Sequence, residues 1–252
     1  MLKNLSSKDS IVNIFITLAY NKKINHLDNL KDIQKKYFNK LINIYALKVN
    51  LIHPILKEIK NSIEIISKDE NITHLVFTSK NGVYLFFNFL IKENLNEIIK
   101  LLKDKEFLAV GSETAKAINK FGFNAITPDT YLTSSLAKFI TNIENIKYKK
   151  ILILRSKISN KNLTDELQKE GIDFIEKHIY TIKPNPYFKK TKEYNLFKKL
   201  IKLNEIFYLV FTSPSNVKVF FKYFSLENLI INPNFKIIPI GPITYDKIKE
   251  II

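Results

Sequence analysis

Short apolar runs alternate with stretches of helical periodicity along most of the chain. The runs predict strands at Ile11–Leu18, Leu41–Leu51, His74–Thr78, Glu106–Val110, Asn124–Thr127, Lys150–Leu154, Asp173–Ile182, Phe207–Thr212 and Phe235–Ile240. Helices are predicted at Ile24–Asn39, Pro54–Ile66, Lys80–Ile91, Glu113–Phe121, Ser134–Ile143, Asn162–Lys169, Lys189–Lys202, Ser215–Phe224 and Ile243–Ile251. Strand–helix alternation at this spacing argues for an α/β fold on doubly wound parallel sheets. Some strands, such as Ile151–Leu154, are apolar without interruption, as strands covered on both faces are.

One stretch of this pattern is written twice. His74–Leu90 reads HLVFTSKNGVYLFFNFL and Tyr208–Phe224 reads YLVFTSPSNVKVFFKYF. Each is a buried strand ending in Thr-Ser, then a helix. Ser79 and Ser213 fit as N-caps, with Pro214 at the first helical position. The apolar stripes coincide, Val83, Phe86, Phe87 and Leu90 against Val217, Phe220, Phe221 and Phe224, at the spacing that packs a helix on a sheet. A weaker repeat follows each copy: Phe107–Phe121 and Ile237–Ile251 both read as strand, Gly, two residues, Thr, helix.

The second copy runs out of chain. A domain made of Lys189–Ile252 alone would have two predicted strands, too few for a stable sheet. The unassigned strand Ile11–Leu18 is the natural donor. That implies a discontinuous domain, residues 1–43 with 183–252, around an inserted one, residues 44–182. The crossings fall in Leu41–Leu51 and Lys177–Pro184, and Pro184-Asn185-Pro186 suits an extended linker end.

Composition narrows the class. With 252 residues and 46% hydrophobic content the chain can bury a sizeable core. Mean hydropathy is −0.07, and no run approaches the ~18 consecutive apolar residues of a membrane span. Met1–Ser10 is polar and of mixed charge, unlike a secretory leader. There is no cysteine, which excludes disulfides and thiolate metal sites. A cytoplasmic protein with no membrane partner is the simplest expectation. The net charge of +16 is nearly all lysine, spread along the chain, and Arg155 is the only arginine. Abundant Lys, Asn and Ile suggest an AT-rich coding bias, so a solvated lysine surface is favoured and a nucleic-acid partner is not expected. Attraction to a polyanion, including a small polycarboxylate, is the alternative.

Conventional catalytic motifs are missing. His26, His53, His74 and His178 have no metal-ligand spacing, and there is no G-x-S-x-G elbow, P-loop or G-x-G-x-x-G. What remains are helix starts at the carboxyl ends of strands, where doubly wound sheets bind ligands. Free N–H groups there favour anions. Each repeat offers two, after Thr78-Ser79 and Gly111 in one copy and after Thr212-Ser213 and Gly241 in the other. Thr114 and Thr244 lie in the first turn beyond each Gly, where a hydroxyl can supplement the N–H groups. Ser79, Ser213, Thr114 and Thr244 equally fit helix caps and nothing more. Arg155, after the strand Lys150–Leu154, could grip a carboxylate bidentately or lie on the surface. Tyr180 by itself reads as packing.

The ordered set of motifs resembles the uroporphyrinogen-III synthase family. It comprises FTS at Phe77–Ser79, GSETA at Gly111–Ala115, LRS at Leu154–Ser156, ELQKEG at Glu166–Gly171 leading to Tyr180, FTSP at Phe211–Pro214 and GPIT at Gly241–Thr244. The resemblance implies two flavodoxin-like domains joined by a two-stranded linker, the first domain discontinuous. It implies closure of linear hydroxymethylbilane to uroporphyrinogen III, with inversion of ring D through a spiro intermediate, loss of water and no cofactor. It also implies a monomer, with the upstream deaminase as a candidate partner. Tyr180 would assist departure of the hydroxyl, and Thr114 and Thr244 match cleft threonines. Thr78, Ser79, Gly111, Arg155, Thr212, Ser213 and Gly241 would complete the carboxylate-binding set. A non-catalytic tetrapyrrole- or polyanion-binding member of the same fold is the alternative. The chain departs from the pattern at Leu18, where the family has arginine after Thr17, and at Tyr245, where it has alanine. It also ends at Ile252, before an expected further strand and helix, which should weaken the first domain.

Overall fold

The computed structural model describes residues 12–19, 42–130, 133–203, 207–225, 229 and 235–252. The helix expected over Ile24–Asn39, and residues Ile11 and Leu41 of two expected strands, lie outside them. The described elements are β1 (Val12–Ala19), β2 (Ile42–Pro54), α1 (Leu56–Lys68), β3 (Ile72–Phe77), α2 (Lys80–Lys92), α3 (Asn96–Leu101), β4 (Glu106–Ala109), α4 (Ser112–Asn119), β5 (Ala125–Ile126), α5 (Thr133–Thr141), β6 (Lys150–Ser156), α6 (Asn162–Lys169), β7 (Asp173–Pro184), α7 (Lys192–Lys202), β8 (Phe207–Phe211), α8 (Pro214–Phe220), β9 (Phe235–Pro239) and α9 (Pro242–Lys249). The fold is α/β on a mostly parallel nine-stranded sheet, in the order β5-β4-β3-β6-β7-β2-β1-β8-β9. Contacts divide the chain into an inserted unit, His53–Ile182, and a discontinuous unit, Met1–Ile52 with Lys183–Ile252.

In the inserted unit β3 pairs in parallel with β4 on one side and β6 on the other, with β5 and β7 outside them. The chain order reverses between β3 and β6, which makes that junction the switch point of the sheet. Alternating side chains feed two cores. Val76, Leu108, Ile151 and Ile153 face Leu136, Ile140, Leu163 and Leu167 of α5 and α6. Phe77 and Phe107 stack at 6.4 Å and join Phe87 of α2 and Phe123 in an aromatic layer.

The discontinuous unit has β1 between β2 and β8, all parallel, with β9 beyond β8. All eight residues of β1 are buried, as suits a central strand. Phe15, Leu209 and Phe211 pack against Phe197 and Phe220 of α7 and α8 on one face. Ile14, Ile16 and Val210 fill the other. Here the order reverses between β1 and β8. The strands β2 and β7 carry the chain between the units. Just past β2, the Ile55 N–H donates to Ile179 O at 2.9 Å; just past β7, the Asn185 N–H donates to Val49 O at 3.0 Å.

Local chemistry sets the element ends. Ser79 and Ser213 cap α2 and α8, accepting from the N–H groups of Asn81 and Asn216. Thr191 accepts from the Tyr194 N–H at 3.2 Å, which delays the helix expected from Lys189 until Lys192. Gly241 has φ +88°, a conformation that favours glycine, and opens α9. α3 was not anticipated: it buries only Ile98, too little for a periodic signal.

His74 is expected to make the inserted unit acid-sensitive. It is fully buried in β3, with Nδ1 2.7 Å from Thr73 Oγ1 and Nε2 3.4 Å from Glu106 Oε2. Burial lowers the imidazole pKa below its ordinary value, with Glu106 opposing and Lys149 adding to the shift. At this group the unfolded chain therefore binds more protons than the folded one below about pH 6.5, and the stability it contributes is lost as pH falls through the folded pKa. Urea unfolding midpoints measured from about pH 8 to about pH 5 should decline below about 6.5, and less steeply in His74→Leu. Equal slopes would assign the loss to other groups.

Candidate functional site

The inserted unit gathers several predicted site residues at its switch point. Phe77, before Thr78 and Ser79, lies opposite Leu154, which places Arg155 and Ser156 beside the Thr-Ser end. The β6–β7 ladder then carries one extra residue: Arg155 pairs with His178 but Ser156 with Tyr180, so Ile179 is bulged out of register. Bulges next to sites re-aim side chains. This one sets the Tyr180 phenol near Ser79 and Ser156, whose polar side chains act on its ionisation. Tyr180 is 3% exposed, and its carbonyl accepts from the Lys157 N–H at 2.8 Å. Burial pushes the phenol pKa up, while Ser79, Ser156 and the charge of Arg155 pull it down less strongly. The net effect leaves a neutral phenol, a hydrogen-bond and proton donor. Ser156 belongs to the LRS motif, but sequence reasoning gave it no role.

Arg155 is turned inward. It is 1% exposed, its Nη2 donates to Asn160 O, and its Nη1 lies 3.3 Å from Glu176 Oε1. Glu176 also lies 3.2 Å from His178 Nε2. The guanidinium that could have gripped a ligand carboxylate thus ties the loop after β6 to β7. Burial lowers its pKa, with Glu176 and Tyr180 opposing.

The second helix start in this unit lies close by. The Val110 N–H donates to Phe77 O at 3.2 Å, so Gly111 follows directly beside the Thr-Ser end. Gly111 opens α4, accepting from the N–H groups of Thr114 and Ala115 at 3.0 Å each. Thr114 is buried at 5% exposure. Lys80 Nζ, at the start of α2, reaches Glu113 Oε2 at 3.2 Å and links the two helix starts.

The discontinuous unit repeats this plan with different chemistry. The Ile240 N–H donates to Phe211 O at 2.9 Å, the counterpart of the Val110 bond, and leads to Gly241 and the buried Thr244. Phe211 pairs with Thr17 as Phe77 pairs with Leu154. The next ladder carries the same extra residue: Leu18 pairs with Lys48 but Ala19 with Asn50. By register, Leu18 therefore matches Arg155, Ala46 matches Glu176, and Asn50 matches Tyr180. An apolar pair stands where the inserted unit has an ion pair, and an amide where it has a phenol.

That amide belongs to a buried network. Thr212 Oγ1 donates to Thr17 O at 2.6 Å. Asn216 Nδ2 donates to Thr17 O at 2.9 Å and to Thr212 Oγ1 at 2.7 Å. With both of its hydrogens committed, Asn216 turns its oxygen to Asn50, whose Nδ2 donates to it. Asn50 Oδ1 is left without a hydrogen-bond partner among the described residues. Ser213 Oγ accepts from the Asn216 N–H at 3.3 Å. The Thr212 hydroxyl is thus taken up within the fold. Asn50 carried no sequence signal, and Asn216 none beyond its place in the repeat.

Two cavities in the inserted unit lie apart from these residues. One of about 470 Å³ is lined by Lys103, Lys105, Glu106 and Asn124 among others. The other, about 290 Å³, is lined by Ser134, Lys138, Asn162, Asp165 and Glu166. Among the described residues, no group of three or more His, Asp or Glu side chains is arranged to hold a metal ion. Among them, too, no helix is long and apolar enough to cross a membrane.

The family model described as uroporphyrinogen-III synthase HemD matches residues 47–251, which include both Thr-Ser ends, both Gly-x-x-Thr starts, Arg155 and Tyr180. The chain belongs to the uroporphyrinogen-III synthase family. A porphyrin biosynthesis protein HemD of Ruminiclostridium josui is 30% identical over 147 residues, 58% of this chain and 28% of that protein. The chain thus spans little more than a quarter of that relative. A putative uroporphyrinogen-III synthase of Methanocaldococcus jannaschii is 30% identical over 183 residues, 70% of this chain and 69% of that one. Among solved structures, a mutant uroporphyrinogen III synthase of Thermus thermophilus aligns with TM-score 0.62 at 14% identity, over 95% of this chain and 88% of that one. Uroporphyrinogen-III synthetase of Helicobacter pylori 26695 aligns with TM-score 0.58 at 22% identity, over 96% and 88%. At these identities the structures share this family's fold.

The network at Asn216 should be a stability determinant. Asn216→Ala leaves the buried Asn50 amide without its partner and removes one of the two donors to Thr17 O, so a loss of about 1–3 kcal/mol is expected in urea unfolding. A loss within error of zero would mean that the amides are not held as described.

Proposed function

We propose that the protein is a uroporphyrinogen-III synthase, a cyclising lyase that converts hydroxymethylbilane to uroporphyrinogen III with inversion of ring D and loss of water. Family membership supports the reaction. The observation that carries the reading is the Tyr180 phenol, buried by the bulged register at a switch point and kept neutral there by that burial. A neutral phenol can hydrogen-bond the departing hydroxyl and give it the proton with which it leaves as water.

The remaining requirement is to hold a flexible octacarboxylate in one conformation. The helix starts after Ser79, Gly111, Ser213 and Gly241 offer N–H groups to carboxylates, with Thr78, Thr114 and Thr244 beside them. Arg155 serves through Tyr180 and the loop after β6 rather than on the substrate. Thr212 serves through Asn216. Ordering the bilane so that one carbon is attacked supplies most of the catalysis. No cofactor is needed for a ring closure that only loses water.

The same reading takes the chain as two flavodoxin-like doubly wound domains, one discontinuous, with β2 and β7 as a two-stranded linker. The discontinuous unit's order, 2-1-3-4 in its own strand numbering, follows flavodoxin. The inserted unit runs 3-2-1-4-5, so its likeness is of the doubly wound class rather than of strand order. We take the protein to be a cytoplasmic monomer that receives its labile substrate from the deaminase upstream.

Hydroxymethylbilane generated in situ by a deaminase provides the test. Uroporphyrinogen III should form in excess over the spontaneous type I isomer; type I alone would favour a non-catalytic member of the fold. Tyr180→Phe should lower kcat on the order of 10²-fold while shifting the unfolding midpoint little. Unchanged kinetics would return Tyr180 to packing.

A further inference from the structure

Gly82 is the third residue of α2, and it is buried. Glycine inside a helix costs stability relative to alanine and calls for a reason. Backbone conformation supplies none, because Gly82 is not among the residues with positive φ. Space does. A Cβ built at Gly82 would lie 3.5 Å from Tyr180 Cε1, 3.6 Å from Leu154 O and 3.7 Å from Ile179 Cδ1. One methyl group would just touch these atoms, and anything longer would meet the ring.

The repeat supplies the comparison. Counting from Phe77-Thr78-Ser79 and Phe211-Thr212-Ser213, Gly82 corresponds to Asn216. Tyr180 corresponds to Asn50 through the shared bulge. In the inserted unit a large ring on the bulged strand lies against a helix residue with no side chain. In the discontinuous unit two amides meet instead, with Asn50 Nδ2 donating to Asn216 Oδ1. Side-chain volume has been exchanged between the strand and the helix at one slot.

We propose that Gly82 is a positioning residue for Tyr180: its missing side chain opens the slot that seats the phenol, and the Asn50–Asn216 pair is the alternative filling of that slot. The chemistry of water loss then belongs to the inserted unit alone, because the other unit's slot is filled by groups that do not titrate. This rests on the reading of Tyr180 as the group that assists hydroxyl departure.

The test grafts one filling onto the other unit, using Gly82→Ala, Gly82→Asn, Tyr180→Asn and the double variant Gly82→Asn/Tyr180→Asn. Gly82→Asn should lower kcat on the order of 10²-fold, the effect of misplacing a catalytic group by about 1 Å, with KM changed by less than about three-fold. Gly82→Ala, whose methyl makes only ordinary van der Waals contact, should keep kcat near that of the wild type. The double variant should be no slower than Tyr180→Asn, and its unfolding midpoint should lie above that of Gly82→Asn. Near-normal kcat in Gly82→Asn would overturn the proposal. So would losses in kcat that multiply, or losses in unfolding midpoint that add, in the double variant. If Tyr180→Asn leaves kcat unchanged, the catalytic reading of Tyr180 fails, and the unfolding midpoints of the four variants still decide whether the two residues share a slot.

Discussion

The parallel pairing of each Thr-Ser strand with its switch-point neighbour governs the rest of this structure. Phe77 lies opposite Leu154, and Phe211 opposite Thr17. That single register sets a helix start beside the end of a second strand, and one strand further out it meets a bulge. Side chains alternate along strands, so a slip of one residue would turn Tyr180 away from Ser79 and Ser156. Leu75, Val76, Phe77, Leu152, Ile153 and Leu154 are all fully buried, so such a slip would have to repack the close-packed layers on both faces at once.

On this shared frame the two units have diverged in what they place at the strand ends. The inserted unit holds ionisable groups there, a buried arginine with its glutamate and a phenol. The discontinuous unit holds amides, hydroxyls and an apolar side chain at the matching positions. Its network is satisfied almost wholly from within, each donor direction fixed by the next. A closed network of this kind gives rigidity.

Arg155 illustrates how burial changes the meaning of a residue. An arginine after a strand at a carboxyl end is well suited in type to a carboxylate ligand. With 1% of its surface exposed and Glu176 at 3.3 Å, its charge is paired inside the protein, while Nε and Nη1 make no hydrogen bond among the described residues. Breaking such a pair by removing one partner leaves an uncompensated buried charge, so both members are constrained together. It ties the loop after β6 to β7 through Asn160 O and Glu176.

Periodicity and the double copy were enough to place the described strands and most described helices, with ends shifted by a few residues where a cap intervened, as at Thr191. The repeat also put Ser79 and Ser213 at helix starts, because capping is local chemistry that a few neighbouring residues decide. The shortage of strands after Lys189 pointed to the N-terminal strand, and β1 indeed lies beside β8. What lay beyond the sequence was set by contacts between residues far apart in the chain. The bulges at Val49 and Ile179 exist only as a mismatch between two strands, and neither strand shows them alone. The equivalence of Asn50 with Tyr180 follows from those bulges, and so does the pairing of Asn216 with Asn50 across 166 positions. The inward turn of Arg155 depends on Glu176, which comes from a different strand. The sequence by itself determined the elements, their alternation and the family, because these rest on local pattern and ordered motifs. Which polar groups are buried, and which partner fixes the direction of each, was decided by tertiary structure, since burial is a property of packed surfaces rather than of any segment.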